Sequence, residues 1–343
     1  MNDAPIILMD PHPRRIALIF CDEDKHRLES LGKVVWYEGG RAPDEHIEQH
    51  LPQTIALVGQ TAMPRERLAR APHLRMIANV EGNFLPNVDY AECHRRNIPV
   101  LSCAPAFAPA VAEMALGLAL ACARGIADGD AAFRQGREQY SGASNLNSFL
   151  LRGKTFGLVG CGNVGRHLLP LLRPFGGDVL VHDPWLHEHS VQQMAARSVS
   201  LEELFRCSRV VFIIAAATTE NQRAIGNRHF GLLQSGSVVV LVGRAAVVDF
   251  DALLDAAESG RVRAAIDVFP EEPVPPNHRV RQTPNVILSA HRSGGLPETY
   301  HEVGRMVVDD LELILRGLPP QRMQRATLET VARLCSKPIA ARL

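Results

Sequence analysis

Thr155–Asp183 reads TFGLVGCGNVGRHLLPLLRPFGGDVLVHD, and the fold is decided there. The apolar run Phe156–Val159 meets Gly160, Gly162 and Gly165 in G-x-G-x-x-G spacing, a helix-compatible segment follows, and a second apolar run ends on Asp183. The first glycine permits a tight turn, the second lets backbone approach a pyrophosphate, and the third lets helix pack closely on strand. Asn163 and Val164 open the helix, where unpaired N–H groups and the helix dipole favour phosphate. A bare glycine fingerprint also occurs in turns that merely pack a helix on a sheet. Here the helix, the second strand and a correctly placed acid complete the dinucleotide context. Asp183 lies where a carboxylate meets a ribose 2′-hydroxyl and would repel a 2′-phosphate. No Arg or Lys occupies 184–190, so NAD is expected rather than NADP.

At 343 residues the chain is long for one core, and two domains are expected. Its hydrophobic share of 46% and charged share of 22% are those of a globular protein. Formal net charge is zero, which gives no electrostatic footprint for nucleic acid or an anionic membrane. The local basic pairs Arg14–Arg15 and Arg95–Arg96 read as solvated surface. Seven scattered cysteines without a C-x-x-C form neither a disulfide framework nor a zinc site, and no metal is expected. No signal peptide is visible. The most membrane-like run, Ala104–Ala123, carries Glu113 and two prolines and reads as too short on either side of the acid to span. A cytoplasmic protein is the expectation.

Before the glycine turn, apolar runs recur at Arg15–Phe20, Lys33–Tyr37, Thr54–Val58, Leu74–Val80 and Ile98–Ser102, with helix-compatible segments between them. After it they recur at Arg209–Ala215, Ser237–Val242, Arg263–Asp267 and Asn285–Ala290. Strands alternating with helices predict parallel α/β architecture, with a doubly wound sheet of about six strands in the second region. Ala108–Arg124, apolar on nearly every face, predicts a buried helix with Pro109 near its start. Gly125–Leu151 reads as a polar arm reaching a partner. Pro297–Arg316 predicts a long amphipathic helix returning to the first domain, and Gln321–Leu343 a tail with one short helix at Ala326–Leu334.

Ligands of open α/β sheets bind beyond the carboxyl ends of the strands. Those ends place Arg244 after SVVVLVG, Asp267 after RVRAAI and His291 after NVILSA, with Glu272 in the loop VFPEEP. Arg, His and a carboxylate beside a nicotinamide suit hydride transfer at a carbinol. The Arg fork holds a carboxylate and polarises the carbonyl oxygen, while the His exchanges the hydroxyl proton.

From about Leu74 to Pro320 the chain resembles the D-isomer-specific 2-hydroxyacid dehydrogenases. The blocks that carry this are NIPVLSCAPAFAPAVAEMALGLALA, GLVGCGNVG with VLVHDP, VVVLVGRAAVVDFDALLDAAESGRVRAAIDVFPEEP, and PNVILSAHRSGG. The resemblance implies a substrate arginine at Arg244, the acid/base at His291, its acid partner at Glu272, and a nicotinamide contact at Asp267. It also implies two α/β domains, a Rossmann-type sheet and a smaller flavodoxin-like sheet, and a homodimer built on the crossing helix. The domains then fall at 1–107 plus 297–343 for substrate and 108–296 for NAD.

The departures concern the substrate. NVEGNFLPNVD, residues 79–89, carries one glycine where the family's substrate loop is glycine-rich, so Val80, Glu81, Gly82, Asn83 and Phe84 are expected to approach the substrate. Arg292 follows His291 where an apolar residue is usual; it reads either as a solvent-facing charge or as a site for a second anionic group on a small anionic substrate. A phosphite-type dehydrogenase on the same scaffold and an NAD-sensing corepressor-like protein are the alternatives.

Overall fold

The computed structural model describes residues 4–335. The chain divides into two compact units, Met1–Phe107 with Gly295–Leu343, and Ala108–Gly294.

In the first unit, β1 (Ile6–Asp10), β2 (Lys33–Trp36), β3 (Thr54–Gly59), β4 (Met76–Asn79) and β5 (Val100–Ser102) lie in the order β5-β4-β3-β1-β2, all parallel. This is the flavodoxin-like arrangement. The strand expected at Arg15–Phe20 is a correction: Ile16–Ile19 is a single helical turn, and the first strand is IILMD at residues 6–10. A short apolar run cannot be told from a buried helical turn by periodicity. IILMD takes the strand position because every residue in it is buried, with β2 and β3 on either side. Ile19 instead packs with Val303 and Val307 of the helix Pro297–Leu315.

The second unit contains β6 (Phe156–Val159), β7 (Val179–His182), β8 (Arg197–Ser198), β9 (Val210–Ile213), β10 (Ser237–Leu241), β11 (Val262–Ile266) and β12 (Val286–Leu288). Their order is β12-β11-β10-β9-β6-β7-β8, again parallel throughout. The six strands from β8 to β11 reproduce the doubly wound order of two mononucleotide halves, and β12 extends the edge. β8, an exposed Arg and a partly exposed Ser, is the strand that apolar runs could not reveal. Alternation on β9 shows why the central strands read as continuous apolar runs. Val211 and Ile213 enter one core and Val210 and Phe212 the other, so both faces of the sheet are covered.

The helix Ala104–Arg124 begins four residues before the expected start, which makes Pro109 interior to it. By length and composition it is long enough to cross a membrane, so the shortness argument is corrected. Ala112, Ala115, Ala119 and Ala123 pack it into the second unit's core. The arm that follows is partly helical, at Ile126–Arg134, where no residue is buried.

The tail is more than a tail. Residues Gln324–Arg325 form β13, antiparallel to β5. Asp310, wholly buried on the helix Pro297–Leu315, accepts the N–H groups of Gln321 (2.7 Å), Arg322 (2.9 Å) and Met323 (2.8 Å) and so fixes the approach to this strand. The short helix shrinks to Leu328–Val331, and residues 336–343 lie outside the described residues.

Candidate active site

The glycine turn follows β6 directly, and each glycine has a separate reason to be one. Gly160 has φ +89, and a Cβ there would lie 2.7 Å from Ala215 Cα. At Gly165 it would stand 3.1 Å from Cys161 Sγ, the close packing of helix on strand. At Gly162 it would meet nothing within 4 Å, so no protein group requires glycine there and the open side suits an approaching pyrophosphate. Asn163 begins the helix Asn163–Leu172. Asp183, just past β7, accepts the Cys161 N–H at 2.8 Å and the Trp185 N–H at 3.0 Å. The acid therefore sits against the glycine turn. Burial, and then the Asp183 charge, push the neighbouring Cys161 thiol up to about 11.

The ends of β10, β11 and β12 are adjacent, with Leu241 paired to Ile266 and Ile266 to Leu288. Arg244, Asp267 and His291 leave from these neighbouring ends. His291 Nδ1 lies 2.7 Å from Glu272 Oε2, while Glu272 Oε1 accepts the Phe269 N–H at 3.0 Å. One carboxylate thus fixes both the histidine ring and its own loop. His291 is 36% exposed at its side chain and Glu272 18%, so the ring meets solvent while its partner is withdrawn.

Asp267 is 1% exposed. Its carbonyl accepts the His291 N–H at 2.8 Å, and its carboxylate accepts those of Arg292 at 3.1 Å and Ser293 at 3.3 Å. Three consecutive amides end on one residue and hold His291 at φ +48. Sequence reading gave Asp267 a cofactor contact but missed this grip on the histidine turn. Arg244 is partly buried, with Nη1 donating to the Gly243 carbonyl at 2.8 Å.

Residues 116–293 match the family model for the D-isomer specific 2-hydroxyacid dehydrogenase, NAD binding domain. A glyoxylate reductase from Aeropyrum pernix is 30% identical over 76% of this chain and 80% of its own length. The chain belongs to the D-isomer specific 2-hydroxyacid dehydrogenase family. It is an oxidoreductase with an NAD-binding domain. A D-3-phosphoglycerate dehydrogenase from Archaeoglobus fulgidus is 29% identical over 85% of the chain, which spans only 55% of that relative. The crystal structure of a phosphoglycerate oxidoreductase from Rhizobium etli is 39% identical, with TM-score 0.87, covering 95% of this chain and 99% of that one.

In the loop after β4, the side chains of Glu81, Phe84 and Val80 turn inward. Glu81 does not project freely: both carboxylate oxygens are held by Arg14, at 2.8 and 2.9 Å. Phe84 is likewise buried, as is Val80. The reason is energetic: an apolar ring gains by leaving water, and a carboxylate that leaves water needs a cation. Arg14 is therefore not solvated surface, and Arg96 also turns inward, onto the carbonyls of Leu68 and Ala71. Gly82 and Asn83 remain partly exposed, and Arg292 is exposed on the second unit.

Proposed function

We propose that this chain transfers hydride between NAD and a 2-hydroxy or 2-oxo acid, with Arg244, Glu272 and His291 as its catalytic residues. The observation that carries the proposal is the 2.7 Å His291–Glu272 pair, at the carboxyl end of a sheet whose β6 end bears the glycine turn. Gly160, Gly162, Asn163, Val164 and Gly165 would hold the pyrophosphate, Asp183 the ribose hydroxyls, and Asp267 the nicotinamide side. When bound, NAD supplies the hydride acceptor, or in its reduced form the donor.

The remaining chemistry falls to the chain. The Arg244 guanidinium binds the substrate carboxylate and draws electron density from the carbonyl oxygen. With Nδ1 committed to Glu272, Nε2 is the ring nitrogen left for substrate; it takes the hydroxyl proton on oxidation and returns it on reduction. Glu272 orients the ring and faces the positive charge that the ring then carries. We assign Val80, Gly82 and Asn83 to substrate recognition through backbone, with Glu81 acting from within the loop.

A second anionic group on the substrate is part of the proposal. It is supported by the exposed Arg292 and by relatives named for phosphoglycerate, whereas others are named for glyoxylate and hydroxypyruvate. These names favour 2-hydroxyacid chemistry over phosphite oxidation or a corepressor role. We further place the protein in the cytoplasm as a homodimer. Support for the dimer is the exposed apolar side chains of Phe133, Tyr140, Leu146 (85%) and Leu150 on the arm of the second unit.

NADH consumption with a panel of 2-oxo acids, with and without a distal carboxylate or phosphate, tests this reading. Turnover is expected, fastest with a distal anion. Absence of turnover with every 2-oxo acid would refute it.

A further inference from the structure

We propose that Arg14 is the positioning residue of the substrate loop: its pairing with Glu81 fixes the backbone around Gly82 and cancels a carboxylate that would oppose an anionic substrate. The inference rests on the proposed 2-oxo acid reading.

Arg14 follows β1 and Glu81 follows β4, with β3 between them, so the pair reaches across two strand spacings, about 9–10 Å. Nε meets Oε1 at 2.8 Å and Nη2 meets Oε2 at 2.9 Å, the fork-to-fork geometry that only arginine provides. The side chains are 15% and 5% exposed. The guanidinium carbon sits 4.7 Å from the centre of the Tyr300 ring and 5.5 Å from that of Phe107, so two aromatic faces limit where the fork can move. Burial opposes the Arg14 charge, but Glu81 and Tyr300 outweigh it and hold the guanidinium above its ordinary value.

The rest of the loop is stapled around the same residue. Asn79 Oδ1 accepts the Glu81 N–H at 2.9 Å, Asn79 Nδ2 donates to the Asn83 carbonyl at 2.7 Å, and Ser102 Oγ donates to the Glu81 carbonyl at 3.0 Å. Glu81 is thus tied at its amide, its carbonyl and its carboxylate. The next residue, Gly82, packs its α-carbon toward Phe107, where a Cβ would stand 3.5 Å from the ring. Its N–H meets no acceptor among the described residues. A loop held this firmly, with a donor left over at a strand end, is arranged to receive an acceptor from outside. The carboxylate one residue away would repel an anionic acceptor unless neutralised, and breaking a buried pair leaves the surviving charge uncompensated.

The test compares Arg14→Gln with the neutral pair Arg14→Gln/Glu81→Gln. Arg14→Gln is expected to raise KM for the 2-oxo acid about tenfold with KM for NADH unchanged. The double variant removes the unpaired carboxylate but not the loss of the fork, so its KM is expected to fall between those of the single variant and wild type. Hydrogen exchange in residues 79–89 should speed up in both variants, because neither keeps the fork, with residues 156–172 unchanged. An unaltered KM and exchange in Arg14→Gln would overturn the inference, as would a double variant with a KM no lower than the single. A parallel rise in KM for NADH would also overturn it, since that marks a general structural role. Should Arg14→Gln not fold, the double variant decides alone: a raised KM with faster exchange in residues 79–89 supports the inference, and wild-type values of both refute it. If the wild type turns over no 2-oxo acid, the functional reading fails. The exchange rates of residues 79–89 then still decide the positioning claim, faster exchange supporting it and unchanged exchange refuting it.

Discussion

The backbone N–H of His291 donates to the carbonyl of Asp267 at 2.8 Å, and the Asp267 carboxylate takes the next two amides in the chain. A non-glycine residue at φ +48 is uncommon, and here its conformation is held by a buried acid just past the end of the neighbouring strand β11. Asp267→Ala leaves those two amides without their acceptor. Stability is expected to fall by about 1–3 kcal/mol in denaturant unfolding. The rate should fall as well, because the ring leaves its position. Wild-type stability and rate in this variant would show that the turn holds without the carboxylate.

Asp183 and the glycine turn make a separable claim about the cofactor. Asp183→Ala removes the proposed ribose partner and the acceptor of the Cys161 N–H. NADH binding, measured by fluorescence titration, should weaken by about tenfold, roughly the value of one charged hydrogen bond. Discrimination against NADPH should shrink with it. An unchanged preference between the two would remove the reason for naming NAD.

Gly160 and Gly162 should respond to alanine in opposite ways. Gly160→Ala forces a side chain to φ +89 and against Ala215, and is expected to cost about 1 kcal/mol or more of stability. Gly162→Ala meets no protein atom within 4 Å, so it should unfold like wild type yet lose NADH affinity. Equal stability losses in the two variants would mean that Gly162 serves packing after all.

Cys161, inside the glycine turn, should be chemically silent. Burial, reinforced by Asp183, raises its thiol to about 11, so the nucleophilic thiolate is scarce at neutral pH and appears only as pH approaches that value. Alkylation at neutral pH followed by peptide mass mapping is expected to mark the exposed Cys207 and Cys335 and to spare Cys161. Rapid labelling of Cys161 would contradict its burial.

Much of this was readable from the chain because the signals are local. The glycine spacing, the two apolar runs around it and Asp183 lie within 29 consecutive residues, Thr155–Asp183. The strand ends after β10 to β12 were also legible, since each is an apolar run stopping at a polar residue. What escaped notice depends on distant partners. Ile6–Asp10 and Ile16–Ile19 are both short and apolar, and only the neighbours each finds make one a strand and the other a helical turn. Arg14 and Glu81 are separated by 67 positions, and nothing in either local sequence announces the pair. The grip of Asp267 on residues 291–293 likewise spans two strand ends.

The most direct measurement is the single-turnover rate of His291→Ala with NADH and a 2-oxo acid that the wild type reduces, alongside NADH binding to the same variant. NADH should bind as in wild type, because the glycine turn and Asp183 are untouched, while the rate falls by about a hundredfold or more. A wild-type rate in His291→Ala would contradict the assignment of this histidine as the acid/base.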